Sequence, residues 1–148
     1  MKKVWSVILC ASLLLLSFGA MLSCTQEREQ RREDGSLYLE GTYIPSGGIG
    51  DKVFVFTSEL LVMVQVINEE TVEFHYDYRI EEGDDEMTLI LTYKNHVYNG
   101  RSAEVMFYLN GMQAEYKKNP TLESTLDIGE GYIVVSGQKL VQKTEADT

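Results

Sequence analysis

Apolar and polar residues alternate strictly between residues 71 and 80, and this is the clearest pattern in the chain. The alternating sets are Val72, Phe74, Tyr76, Tyr78 and Ile80 against Glu73, His75, Asp77 and Arg79. Successive side chains of a strand point to opposite faces, whereas a helix would scatter these apolar residues around its circumference. The pattern therefore predicts a half-buried antiparallel strand.

Seven further segments have the composition or the alternation of strands. They span residues 37–44, 53–56, 60–67, 87–93, 105–109, 132–135 and 138–143. Three of them, 53–56, 60–67 and 132–135, have apolar residues on both faces, as expected of strands that are covered on two sides. Polar or glycine-containing turns separate most of the segments, including Asn99-Gly100, Asn110-Gly111 and Ser136-Gly137.

We predict an all-β fold, an antiparallel meander of about eight strands with no long helix after residue 35. Residues 111–125 are expected to form the longest irregular connection, with one helical turn at most. A closed or nearly closed barrel would leave no exposed sheet edge, and a two-sheet sandwich is the alternative. Eight strands enclose an interior that side chains fill or that holds one small ligand.

The first 23 residues have the layout of a secretory signal peptide. Lys2 and Lys3 precede a mainly apolar run from 4 to 22, and small residues stand near its end. The following motif, Met21-Leu22-Ser23-Cys24, resembles a bacterial lipobox. That resemblance implies cleavage before Cys24 and a lipid, such as palmitate, on its thiol. Ordinary cleavage after Ser17-Phe18-Gly19 and retention as an uncleaved anchor are the alternatives.

These features divide the chain into three parts. Residues 1–23 are the signal peptide, 24–35 are the lipidated cysteine with a charged tether, and 36–148 are a single β domain. The tether prediction depends on residues 25–35, which include no apolar side chain that could bury a face. We expect a lipid-anchored protein of the cell envelope, on an outer membrane and facing the periplasm or the cell surface. Cys24 would then be the only cysteine of the mature chain, because Cys10 leaves with the signal.

The β domain resembles the small lipocalin-like barrels of bacterial lipoproteins. The resemblance depends on Gly41-Thr42-Tyr43 in the first strand, on the meander, and on the closing pair at 131–135 and 139–141. Lipocalins proper have tryptophan where this chain has Tyr43. The resemblance implies a site for a lipophilic ligand inside the barrel. We predict that six side chains line this interior: Phe74, Tyr76, Tyr78, Leu89, Leu91 and Phe107.

The net charge of −10 argues against a nucleic-acid partner, because such binding depends on Lys and Arg displacing counterions from phosphates. The sequence gives little support for catalysis, because it contains no Gly-x-Ser-x-Gly motif of the kind that presents a nucleophilic serine. Glu73, His75 and Asp77 share one strand face, and acidic residues fill the turn at 81–86. Both are interpreted as solvated surface rather than metal sites, and His96 as a surface histidine.

We therefore expect a protein that is not an enzyme and that has neither a cofactor nor a bound metal. The leading hypothesis is a noncatalytic binding module that holds a small apolar ligand in the barrel. The alternative is an interaction or assembly component of the envelope, which contacts another protein through its outer face or through residues 111–125. An exposed, contiguous apolar patch would favour the alternative.

Overall fold

The chain folds into a closed barrel of eight antiparallel strands. The computed structural model describes residues 30–47 and 52–144, and the barrel unit begins at Arg31. Each strand pairs with the next along the chain, and the last pairs with the first. The predicted all-β meander is confirmed, and its architecture is the barrel rather than the sandwich. The predicted signal peptide and Cys24 lie outside the described residues.

One helix interrupts the meander between the fifth and sixth strands. The strands are β1 (Gly41–Pro45), β2 (Lys52–Phe56), β3 (Leu60–Ile67), β4 (Glu70–Glu82), β5 (Met87–Val97), β6 (Thr121–Gly129), β7 (Tyr132–Val135) and β8 (Gln138–Gln142). The helix, α1, spans Ala103–Lys118. Seven of the eight predicted strands correspond to an observed strand, with ends that differ by a few residues.

Strand β4 confirms the alternation that the sequence shows. Its apolar residues are buried and face the barrel interior, while Asp77 and Arg79 are exposed on the outside. Cross-strand pairing places Tyr76 opposite Tyr93 and Phe74 opposite His96, with a bulge between the two pairs. β4 and β5 are the longest strands, and β6 pairs with β5 only as far as Thr92. The C-terminal part of β5, after Thr92, therefore extends beyond the start of β6.

The predicted strand at 105–109 and the predicted irregular connection at 111–125 are wrong. Residues 103–118 are helical, and Thr121–Gly129 is the sixth strand. The Ser102 hydroxyl caps the helix by accepting a hydrogen bond from the Val105 amide at 3.3 Å. Asn119 ends the helix, and Pro120 follows it. The alternation at 105–109 has no structural basis, because Phe107 lies on the opposite side of the helix from the two buried residues, Val105 and Leu109.

The compact unit that contains the barrel begins at Arg31, whereas the sequence predicts that the β domain begins at residue 36. Arg31 forms an isolated bridge with Leu37, and its guanidinium contacts both carboxylate oxygens of Glu82 at 2.9 Å. Leu37 and Leu39 are buried in the core cluster. The last residues of the predicted tether are therefore part of the barrel unit.

The meander fixes which segments meet at each end of the barrel. The N-terminal end contains residues 31–40, the β2–β3 turn and the β4–β5 turn. The helix end contains the β3–β4 turn, the loop after β5 and the start of α1. There the Asn68 amide donates a hydrogen bond to Glu104 at 3.0 Å.

Candidate functional site

The predicted lining residues divide between the core and the surface. Phe74, Tyr76, Tyr78 and Leu89 are buried, and Leu91 is partly buried against the same cluster. Phe107 is 81% exposed, so its assignment to the interior is wrong. The cause is the helix: a residue two positions from Val105 and from Leu109 shares their face in a strand but not in a helix.

Side chains fill the N-terminal half of the interior. Phe56 makes edge-to-face contacts with Tyr43 and Tyr78, at ring-centroid distances of 5.7 and 5.3 Å. The Tyr78 hydroxyl accepts a hydrogen bond from the Leu39 amide at 3.0 Å and donates one to the Thr57 carbonyl at 2.6 Å. These contacts occupy the space that a lipocalin-like ligand would need at this end.

A second aromatic cluster, of three tyrosines, joins the helix to the barrel. Tyr116 of α1 stacks on Tyr93 with ring centroids 4.2 Å apart, and its hydroxyl is hydrogen-bonded to that of Tyr76 at 3.0 Å. Burial raises the pKa of Tyr76 far above its usual value, and the hydrogen bond to Tyr116 adds to this effect. The phenol is therefore neutral at physiological pH and anchors α1 to the barrel.

The two faces of α1 differ in how the fold uses them. The inner face packs on the core through Val105, Leu109, Met112 and Tyr116, which are spaced as helix neighbours at i, i+4, i+7 and i+11. The outer side mixes charged and polar residues with exposed apolar ones, of which Phe107 is the most exposed large hydrophobic residue described and Tyr108 is 44% exposed. Isolated surface apolar residues are ordinary, but adjacent ones on a single helix form a patch.

This patch forms an open apolar groove of about 630 Å³, which we call the helix groove. Its lining residues are Glu104, Phe107, Tyr108, Gly111, Met112, Glu115 and Tyr116. The two glutamates lie near opposite ends of the helix, and aromatic, methionine and glycine positions lie between them. At 1.5 Å per residue, the backbones of the two glutamates are separated by about 16 Å along the axis.

Gly111 lies in the middle of the helix groove. A glycine inside a helix costs about 0.5–1 kcal/mol relative to alanine. A β-carbon built at Gly111 would meet no described atom within 4 Å, so neither the barrel nor the helix requires a glycine there. The absence of a side chain at Gly111 leaves open space on the helix surface between Phe107 and Glu115.

Two further grooves among the described residues are more polar, and several of their groups already have partners. In a groove of about 340 Å³ beside Asn99, the hydroxyl of Tyr98 donates a short hydrogen bond to Glu70. In another, of about 580 Å³, Arg32 donates to the Ser58 carbonyl at 2.6 Å. Neither offers the uninterrupted apolar surface of the helix groove.

The residues weighed as metal ligands are paired with one another or with other groups. His75 contacts Glu73 at 3.1 Å, and Asp77 contacts Lys94 at 3.3 Å. The Nδ1 atom of His96 is hydrogen-bonded to the Tyr93 hydroxyl at 2.8 Å. Among residues 30–47 and 52–144, no three histidine, cysteine or acidic side chains are grouped in a way that suits a metal ion. In the acidic turn, Glu82 is engaged by Arg31.

Sequence reasoning missed most of the helix groove because it assigned residues 105–109 to a strand. The signal that identifies the helix is the spacing of Val105, Leu109, Met112 and Tyr116 after the capping residue Ser102. The helix also has Glu104 in its first turn and Lys117 and Lys118 in its last, as the helix dipole favours.

Within the described part of the chain, no helix combines the length and the hydrophobicity needed to cross a bilayer. Comparison of the chain with protein-family models, curated proteins and solved structures finds no match.

Proposed function

We propose that this chain is a membrane-anchored, exported lipoprotein whose barrel is a noncatalytic protein-interaction module. The observation that supports this choice is the exposure of Phe107 in a contiguous apolar groove on α1. Solvent exposure of such a surface is unfavourable, and groups of exposed aromatic residues are typical of protein contacts. The lipobox-like segment ending at Cys24 supports the anchor.

An interaction role agrees better with the filled interior than a ligand role does. Ring contacts join Tyr43, Phe56 and Tyr78 into one cluster and Tyr76, Tyr93 and Tyr116 into another. A lipophilic ligand would have to displace aromatic rings that pack on one another and hydroxyls that are hydrogen-bonded. The helix groove needs no such rearrangement, because it is open to solvent.

The anchor is tested by metabolic labelling with a radioactive or alkyne-tagged palmitate in a bacterial host. The wild type and Cys10→Ser should both incorporate the label, because Cys10 leaves with the signal. Cys24→Ser should incorporate none. Labelling of Cys24→Ser, or an unlabelled wild type that is secreted, would contradict the lipoprotein assignment.

The interaction role is tested in intact cells with a photocrosslinking amino acid at position 107 or, as a matched control, at position 106. Met106 is also exposed on α1, at 51%, but it does not line the groove. Discrete crosslinked protein bands should form from position 107 and not from position 106. Equal patterns at both positions would contradict the proposal. A small molecule that stays bound in native mass spectrometry would instead favour the ligand hypothesis.

A further inference from the structure

A second apolar surface lies on the side of the barrel, on the outward positions of β2 and β3. Phe56 and Leu61 are buried in the core and pair with each other, so the residues next to them in each strand point outward. All outward positions of these two strands are aliphatic, and together we call them the valine face: Val53, Val55, Leu60, Val62, Val64 and Val66. None of these residues lines the helix groove.

No element of the described chain buries the valine face. Its residues all remain partly exposed, and Val66 is 43% exposed. Strands with apolar residues on both sides are typical of sheets that are covered on both sides. In β2 and β3 the barrel core covers the inner side alone. The pattern therefore indicates a cover that the described residues do not supply.

A preference for strand-forming residues does not by itself explain the valines. The outward positions of β5 include Thr88 and Thr92, which pair with Glu81 and Asp77 of β4. Threonine has the branched shape and the strand preference of valine but presents a hydroxyl group to water. The outward side of β5 thus combines strand preference with solubility. The valines of β2 and β3 forgo that solubility, which is expected of a contact surface.

We propose that the valine face packs on the valine face of a second copy of this chain, in a two-fold dimer with the barrels side by side. Charge favours this surface for self-association. The net charge is −10, and the outward side of β4 bears Glu73, Asp77 and Glu81 besides Arg79. Like-charged surfaces repel, whereas two valine faces bring no charged side chains together. An isologous contact also needs one surface that complements itself, as rows of equal aliphatic side chains do.

The area of the valine face indicates a weak dimer. Each outward position of a sheet covers about 33 Å², because strands lie about 4.8 Å apart and alternate residues about 6.8 Å apart. Ile44 and Val141, paired across β1 and β8, continue the apolar surface to roughly 260 Å². Interfaces are a little over half apolar, so this centre suits an interface of about 500 Å² per partner. That is smaller than the roughly 800 Å² per partner of a standard stable complex.

Co-anchoring compensates for the small area, and this step rests on the proposed lipid anchor. Copies held on one membrane meet at a high effective concentration, so a weak contact is enough to pair them. A side-by-side arrangement also suits two anchored chains. With the two-fold axis along the membrane normal, both copies keep the N-terminal end of the barrel towards the same membrane.

A lipid bilayer is a poorer occupant of the valine face than a second copy. Segments that bind membrane surfaces combine aromatic or long aliphatic side chains with Lys or Arg. The valine face is built mainly of short side chains. Glu73 of β4 lies directly opposite Val64 and borders the face with a carboxylate, which repels anionic headgroups.

Cysteine crosslinking of the full chain measures whether two valine faces meet. Val64→Cys places a thiol in the valine face, and Thr92→Cys places one on the outward side of β5 as the matched control. Both are made with Cys10→Ser, and Cys10→Ser alone sets the baseline. A short bismaleimide is applied to host membranes and to the purified chain in detergent. Val64→Cys should give a band of twice the chain mass, and Thr92→Cys should remain at the baseline.

Exchange of valine for threonine tests the chemistry of the contact. The double variant Val62→Thr/Val64→Thr keeps the strand preference but adds hydroxyl groups, and each change occurs twice in a two-fold dimer. With Val53→Cys as the crosslinking site, the dimer should form at least about tenfold less readily. Added salt should strengthen the unsubstituted dimer, because it screens repulsion between the acidic copies.

Two controls separate the contact from general effects of substitution. The reverse exchange Thr88→Val/Thr92→Val on β5 should leave the dimer unchanged, and so should Phe107→Ser in the helix groove. Circular dichroism and thermal unfolding confirm that each variant is folded.

The remaining outcomes each decide the matter. Equal bands from Val64→Cys and Thr92→Cys, or none above the baseline, would overturn the dimer. A crosslink from position 64 to a different protein would replace the second copy with that partner. Binding to phosphatidylethanolamine–phosphatidylglycerol vesicles that is lost in Val62→Thr/Val64→Thr would replace it with a membrane. Crosslinks from position 107 without a dimer at position 64 would leave the proposed interaction role standing and remove this inference, and the reverse result would do the opposite.

Discussion

The two ends of the barrel are closed in different ways, although two tyrosines of one strand anchor both covers. Tyr78 holds residues 31–40 at the N-terminal end through the hydrogen bond that its hydroxyl accepts from the Leu39 amide. Tyr76, two residues away on the same inward face, holds α1 through the hydroxyl of Tyr116. The N-terminal cover uses its charged side chains within the fold, as in the pairing of Arg31 with Glu82. The helix cover leaves Phe107 and Tyr108 exposed.

This difference agrees with the proposal that the helix cover is a contact surface in addition to its structural role. A segment that serves only as a lid can have a polar outer side, as residues 31–36 do. The outer side of α1 is instead occupied by Phe107 and Tyr108. Because such exposure does not stabilise the isolated domain, we interpret it as the part of the molecule that interacts with something else.

The largest expected difference in the free energy of unfolding is between substitutions on the two faces of α1. Leu109→Ala creates a cavity on the inner face and should lower the free energy of unfolding by about 2–5 kcal/mol. Phe107→Ser, on the outer face, should change it by about 0.5 kcal/mol or less. Urea unfolding of both variants measures the difference. Similar losses in both would show that the outer face is also part of the core.

A smaller difference in the free energy of unfolding is expected between variants of Tyr78 and Tyr76, the two tyrosines that hold the covers. Tyr78→Phe leaves the buried Leu39 amide without its acceptor, which should cost about 1–3 kcal/mol. Tyr76→Phe removes one side-chain hydrogen bond but orphans no backbone group, so the expected cost is about 1 kcal/mol. Thermal or urea unfolding measures both, with Tyr132→Phe on the outer surface as the control. A greater loss in Tyr76→Phe would reverse the order of the two anchors.

The smallest effect is a loss of stability in alkali. Burial raises the pKa values of Tyr76, Tyr78 and Tyr93 above the usual value of 10.0. Above pH 10 the unfolded chain loses phenolic protons that the folded chain retains, so each shifted group lowers stability as pH rises. One pH unit above 10 should cost on the order of 1 kcal/mol for a strongly shifted tyrosine.

Urea unfolding between pH 8 and 11 checks this prediction, with tyrosinate absorbance as a second readout. Tyr76→Phe should show a shallower decline than the wild type. An equal decline in both would mean that deprotonation of Tyr76 is not coupled to unfolding.

The barrel could be predicted because most of its strands show an alternation of apolar and polar residues, or a short β-rich apolar run, in the sequence. β4 is the clearest example, since every second residue from Val72 to Ile80 is apolar and buried. α1 was not predicted because Val105, Phe107 and Leu109 are apolar residues at alternate positions, which imitate the pattern of a strand. β6 was missed because polar residues outnumber apolar ones in Thr121–Gly129. Five of the six predicted lining residues lie in or against the core, and Phe107 lies on the exposed side of the helix.

The unequal lengths of β5 and β6 have a consequence for solubility. β6 pairs with β5 only up to Thr92, and the Tyr93 amide donates a hydrogen bond to the Pro120 carbonyl. The segment of β5 from Lys94 to Val97 therefore has one side without a ladder partner from β6. Unpaired strand edges are templates for association with other chains, and native proteins blunt them with lysine, bulges or a covering element. Lys94, the bulge beside Tyr76 and the helix packed on Tyr93 supply all three. Substitutions that detach α1 should therefore promote intermolecular β-pairing, and aggregation would compete with simple unfolding.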